Sequence, residues 1–178
     1  MKNRRIVAVV GISGVGKSSA LARAQKSLTF THLQASTLIK AEHELRQQKF
    51  VDHDTLREAN IDDNQTLLID GFHRAVPDSG LVVLDGHAII DTPAGLVKVE
   101  PRVFRLIGAS RIVVLTEEPE RIWQRRQSDS QRKRPMRSID ELRQQQDYSL
   151  VAARRAALEL RIPLVISDNV QGLIAALQ

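Results

Sequence analysis

Cysteine is absent from this chain of 178 residues, which removes disulfides and thiolate metal sites and leaves a reducing compartment unopposed. Aromatic residues make up only 3% of the sequence, too few for the stacking platforms that grip single-stranded nucleic acid. No apolar run approaches the roughly 20 residues of a membrane span. The basic start Met1-Lys2-Asn3-Arg4-Arg5 followed by apolar residues looks superficially like a secretion signal, but the run breaks at Gly11 and reaches Lys17 without a small-residue cleavage site. Repeats and low-complexity linkers are also missing. The expectation is a soluble, cytoplasmic protein, 1–178 forming one domain, with no membrane partner.

The formal charge is +5, and arginine far outnumbers lysine. A basic surface is one signature of a nucleic-acid binder. Here the basic residues are concentrated between Arg121 and Arg137, and a local anionic ligand such as a nucleotide's phosphates explains a local cluster more simply. A nucleic-acid or protein partner is therefore open but not indicated.

One stretch organises the chain. Gly11-Ile12-Ser13-Gly14-Val15-Gly16-Lys17-Ser18-Ser19 reads G-x-x-x-x-G-K-S. The β-branched run Ile6–Val10 before it has the look of a strand buried on both faces, and the residues from Ser19 to Lys26 are good helix formers. Strand, glycine loop and helix together make a phosphate site. Gly11, Gly14 and Gly16 are expected to take backbone angles closed to other residues, turning successive N–H groups of the loop toward an anion. The helix N-terminus adds its partial positive charge. Lys17 would span the β- and γ-phosphates of ATP, and the Ser18 hydroxyl would ligate Mg²⁺.

Further along, Thr29–Leu33 is a weak strand candidate, and 36–75 is polar and helical, with a turn near Val51–Asp54, a helix start at Asp54 and an end near Asp70-Gly71. Leu81–Leu84, Arg111–Thr116 and Ile162–Ser167 read as buried strands, with helices over Pro119–Gln127, Ile139–Leu160 and Val170–Leu177. Buried strands alternating with helices predict an α/β fold with a parallel sheet covered on both faces, and ligands gather at the carboxyl ends of its strands.

Asp85 sits at the carboxyl end of the strand Leu81–Leu84. An acid there holds Mg²⁺ or one of its waters in phosphate-loop enzymes; capping the following turn is the plainer alternative. His87 returns to the same face of the extended segment, where it either orients a water or phosphate or serves as a satisfied neighbour of the acid. Arginines 121, 125, 126, 132, 134 and 137 surround a Ser- and Gln-containing stretch, 127–138. Their planar, always-ionised forks suit a lid closing on a transferring phosphoryl group, whereas a solvated helix end is the commoner origin of a charge run. Helical phase leaves open whether Arg125 or Arg126 faces the nucleotide.

These residues resemble the archaeal-type adenylate kinases and the related eukaryotic nuclear adenylate kinase, P-loop nucleoside monophosphate kinases. The glycine loop resembles that family's G-x-P-G-V-G-K-T-T, with Ser13 in place of Pro and Ser18-Ser19 in place of Thr-Thr. Asp52–Arg57 is similar to the acidic turn and arginine of its monophosphate-binding insertion, Asp85-Gly86-His87 to its D-x-H, Thr92–Gly95 to its T-P-x-G, and Asp129–Arg134 to its lid pattern D-x-x-R-x-R. The resemblance implies a P-loop NTPase three-layer fold with a five-stranded parallel sheet, a monophosphate-binding insertion at about 36–75 and a short lid at about 127–138. It implies nucleotide contacts from Gly11, Ser13, Gly14, Val15, Gly16, Lys17, Ser18 and Ser19, and metal ligation by Ser18 and Asp85. It also implies that Arg57 grips the acceptor, while Lys17, Asp85, His87, Arg126, Arg132 and Arg134 carry catalysis with Mg²⁺ and ATP. The implied activity is transfer from ATP to a nucleoside monophosphate, AMP foremost; a kinase of another small acceptor or nucleic-acid end, and an ATP-hydrolysing switch acting on a partner, are the alternatives.

Overall fold

The structure, a computed structural model, describes residues 3–47, 61–129 and 135–178. Strand β1 (Asn3–Val10) is buried from Ile6 onward, because β-branched side chains fill both of its faces. It lies at the centre of a sheet ordered β2-β3-β1-β6-β7, with β2 Thr31–Gln34, β3 Ser79–Gly86, β6 Arg111–Leu115 and β7 Leu164–Ser167. All of its pairings are parallel. The helices are α1 (Lys17–Ala24), α2 (Ala35–Gln47), α3 (Ile61–Ala75), α4 (Pro101–Leu106), α5 (Pro119–Ser128), α6 (Ile139–Leu160) and α7 (Val170–Leu177).

The five-stranded parallel sheet flanked by helices is the expected fold. After β1 the chain builds one side of the sheet with β2 and β3, then the other with β6 and β7. Both directions leave from β1, so a crevice opens at its carboxyl end, where the glycine loop begins. The edge strands are less buried than the centre: Ile166 on β7 is 45% exposed.

Two local expectations are corrected, and one hairpin is added to them. Gly71 does not end a helix; α3 continues to Ala75. A Cβ at Gly71 would lie 2.8 Å from the Leu38 carbonyl oxygen, so this glycine permits the close crossing of α2 and α3. The strand expected buried over 162–167 starts at Leu164 rather than Ile162 and is only partly buried, because it forms a sheet edge; the Pro163 carbonyl accepts from Ile112 N–H just ahead of it. Between β3 and α4 the chain forms an antiparallel hairpin, β4 (Ile89–Thr92) with β5 (Gly95–Lys98). Its strands are too short for a periodicity signal, and the turn is closed by Thr92 Oγ1 donating to the Gly95 carbonyl at 2.8 Å. The turn near Val51 and the helix start at Asp54 lie outside the described residues.

Helix α6 shows how sequence sets position here. Ser138 and Glu141 form a reciprocal capping box: Glu141 N–H donates to Ser138 Oγ at 3.2 Å and Ser138 N–H to Glu141 at 2.7 Å. The small residues Ala152, Ala153, Ala156 and Ala157 then let the helix settle onto the sheet. Capping at Ser138 places Arg137 at the helix entrance, and burial of the same face carries Gln145 inward.

Candidate active site

The loop leaves β1 at Val10 and enters α1 at Lys17. Gly14 (φ +86°) and Gly16 (φ +100°) occupy left-handed backbone that only glycine takes without strain. Gly11 is required for a different reason than expected. Its φ is not positive, but a Cβ there would lie 2.8 Å from the Leu115 carbonyl oxygen of β6. The first glycine permits close approach, and the other two shape the turn.

Lys17 is 7% exposed, and its ammonium donates to the carbonyls of Gly11 at 2.8 Å and Ile12 at 3.4 Å. Strand register sets Asp85 opposite Val9, one strand from the loop entrance. Ser18 Oγ donates to Asp85 Oδ2 at 3.5 Å. Asp85 is 4% exposed; burial pushes its carboxyl up, but the hydrogen bond from His32 and the neighbouring Lys17, His32 and His87 outweigh that and hold it below its ordinary value. It is therefore a carboxylate at neutral pH. A hydroxyl and an ionised carboxylate this close are two hard oxygen donors of the kind that Mg²⁺ takes, so these side chains fit the ion.

His87 Nδ1 lies 2.7 Å from the Gly11 carbonyl and donates to it, which fixes the ring against the start of the loop. His32 lies on the edge strand β2. Its Nε2 is 3.3 Å from Asp85 Oδ2. Its sequence neighbourhood, Thr29–Leu33, gives no hint, since only the β2–β3 pairing carries it to the acid.

Helix α5 brings both candidate arginines to the loop. Arg125 donates to the Val15 carbonyl at 2.8 Å and pairs with Glu117 at 2.7 Å. Arg126, only 7% exposed, donates to the Ser13 carbonyl at 2.9 Å and approaches Asp91 to 3.9 Å. Asp91 of β4 also receives both arms of Arg137, at 2.8 and 3.3 Å, and the Gln145 amide at 2.9 Å. Burial raises the Asp91 carboxyl, but hydrogen bonds from Arg137 and Gln145 and the charges of Arg137 and Arg126 bring it below its ordinary value. Asp91, Glu117 and Gln145 carry no local signal in the sequence, and the hairpin that presents Asp91 has strands of only four residues. Arg57, Arg132 and Arg134 lie outside the described residues.

Residues 10–143 match the AAA domain family. The adenylate kinase of Saccharolobus solfataricus is 30% identical over 164 residues, spanning 84% of this chain and 84% of that protein. The adenylate kinase of Thermoplasma acidophilum is 27% identical, over 92% of this chain and 89% of that one. Among solved structures, a gluconokinase from Sinorhizobium meliloti superposes with a TM-score of 0.56 at 17% identity, covering 97% of this chain and 91% of its own. A shikimate kinase from Bacteroides thetaiotaomicron gives 0.54 at 17% identity, covering 98% and 94%. The two structures share the fold, whereas the sequence relatives share sequence along most of their length. With an AAA-type glycine loop, a strand-end acid and this extended likeness, the chain belongs to the archaeal-type adenylate kinase family of P-loop phosphotransferases.

Proposed function

We propose that this protein transfers the γ-phosphoryl group of Mg·ATP to a nucleoside monophosphate, AMP being the first acceptor to test. The observation that carries the reading is the convergence of Lys17, Ser18 and ionised Asp85 at the glycine loop, with two arginines of α5 against the loop's other side. The names of the archaeal relatives support the choice of acceptor.

In this reading the loop from Gly11 to Ser19 holds the ATP phosphates through its backbone N–H groups and Lys17. Ser18 and Asp85 would hold Mg²⁺, which when bound neutralises charge on the phosphate oxygens. An acceptor phosphate is already ionised at neutral pH, so no general base is required, and positioning with charge stabilisation dominates. His87, anchored to the Gly11 carbonyl, braces the loop beside the acid. Arg126 adds its charge at the loop. We assign Arg57 and the insertion at about 36–75 to the acceptor, and Arg132 and Arg134, in a lid at about 127–138, to the transferring phosphoryl group; 1–178 then acts as one kinase domain.

The test compares ATP consumption with and without monophosphate acceptors, for the wild type, Arg132→Ala and Arg134→Ala. Acceptor-stimulated turnover should fall by roughly 10³-fold in each variant, with much smaller changes in ATP affinity. ATP consumption equal with and without every monophosphate tried, and untouched by either substitution, would favour a hydrolytic switch. Stimulation by a different small alcohol acceptor would retain the kinase and replace its substrate.

A further inference from the structure

Two arginines adjacent in sequence reach two loop carbonyls that are two residues apart, with Gly14 between them. Arg126 Nε donates to Ser13 O at 2.9 Å, and Arg125 Nη1 donates to Val15 O at 2.8 Å. Peptide bonds are planar and none here is cis. In a trans peptide the carbonyl of one residue and the N–H of the next point in opposite directions. A carbonyl drawn toward α5 therefore turns the following N–H away from α5. The residues that follow are Gly14 and Gly16, the loop's two positive-φ positions.

Each arginine is itself held by an acid, and each acid by a glutamine of α6. Glu117 pairs with Arg125 at 2.7 Å, and the Gln146 side chain both donates to the Glu117 carbonyl at 2.7 Å and accepts from its N–H at 3.0 Å. Asp91 stands 3.9 Å from Arg126; Gln145 donates to Asp91 at 2.9 Å and accepts from Arg126 at 3.4 Å. Both relays run glutamine, acid, arginine, loop carbonyl, with Gln146 holding the backbone of Glu117 and Gln145 the carboxylate of Asp91. Both arginines lie directly against the two glycines: a Cβ on Gly14 would lie 3.0 Å from Arg126 Cγ and one on Gly16 3.0 Å from Arg125 Nη1.

We infer that Glu117 and Asp91 are positioning residues that, through Arg125 and Arg126, hold the Ser13–Gly14 and Val15–Gly16 peptide planes with their N–H groups turned to the phosphates. The inference rests on the proposed reading of the loop as the ATP site. It assigns the two acids a role whose sign is opposite to their charge. Removing a carboxylate near an anion site by itself tightens anion binding through the Coulomb term. Removing one that keeps the loop's donors aligned weakens it, because the donors must then be ordered at the moment of binding.

The experiment measures, by titration calorimetry with Mg²⁺ present, the Kd of a non-hydrolysable β,γ-imido analogue of ATP and that of adenosine. Wild type, Glu117→Gln, Asp91→Asn and Lys17→Ala are compared. Each acid variant should bind the analogue about tenfold more weakly, the scale of one lost charge-assisted hydrogen bond, with adenosine affinity unchanged. Glu117→Gln should also keep the wild-type thermal midpoint, so a folding defect in Asp91→Asn alone does not blunt the test. Unchanged or tighter analogue binding in both acid variants overturns the inference. Equal weakening for analogue and adenosine also overturns it, since that marks a general structural role. If the wild type binds the analogue no better than Lys17→Ala does, the loop reading itself is wrong and the inference falls with it.

Discussion

Glu42 on α2 and Asp91 on β4 are both nearly buried acids that draw in arginines from separate segments, at 4% and 13% side-chain exposure. Glu42 accepts from Arg46 of its own helix and from Arg74 of α3, each at 3.2 Å. Arg46 turns back to Asp70 of α3, so the charges along the groove between α2 and α3 are paired with one another. The result is a fastener between two helices that cross where Gly71 meets Leu38. Asp91 accepts from Arg137 and Gln145 in the same way, but its other arginine continues to the Ser13 carbonyl. An acid–arginine cluster that closes on itself holds structure together; one with an arm extended to the glycine loop transmits position to chemistry.

The widest separation between the clusters is expected in turnover. Arg126→Ala should lower kcat/KM for ATP by about 10²–10³, the scale of losing a preorganised donor at a reacting charge. Arg74→Ala, whose side chain is 64% exposed, should leave kcat/KM for ATP at saturating acceptor within about twofold, because Glu42 keeps its pairing with Arg46 and a mostly exposed partner contributes little. Comparable losses in the two variants would erase the distinction.

Stability should separate them in the other direction. Gly71→Ala pushes a methyl group against the Leu38 carbonyl and should cost about 1–3 kcal/mol, as overpacking does. Denaturant unfolding would read that loss, and calorimetry should find ATP-analogue affinity unchanged. Weakened analogue binding in the folded protein would show that the α2–α3 crossing reaches the loop after all.

The smallest effect concerns acid. Both carboxyls lie below their ordinary values: Glu42 chiefly through its hydrogen bond from Arg74, which with Arg46 outweighs burial, and Asp91 because its arginines and Gln145 outweigh burial. A depressed carboxyl contributes stability above its unfolded pKa of about 4 and loses it as pH falls through the folded value. Thermal midpoints recorded from about pH 5 down to about pH 2.5 should therefore fall less steeply in Glu42→Gln and in Asp91→Asn than in the wild type. An unaltered slope in either variant would mean that its carboxyl does not titrate differently on folding.

Much of this was open to a reader of the chain alone. Ile6–Val10, Leu81–Leu84 and Ile112–Leu115 are apolar on both faces because a central parallel strand has no solvent side, and their burial follows. The glycine loop announced itself through local chemistry: φ angles at Gly14 and Gly16 are properties of single residues. Helices α6 and α7 begin and end where their caps and periodicity place them. What local pattern could not decide was every relation between distant segments. Gly11 and Gly71 are needed for what lies opposite them, Leu115 and Leu38, and no window around either glycine contains its partner. His32 meets Asp85 only through strand pairing. Asp91 sits on a hairpin whose four-residue strands carry no periodicity, and it joins residues 126, 137 and 145 only once α5 and α6 are packed. Residue type and spacing determine what a segment can do, but a charge 3 Å from its counter-charge is a fact of packing, and here packing alone chose which arginines face the loop.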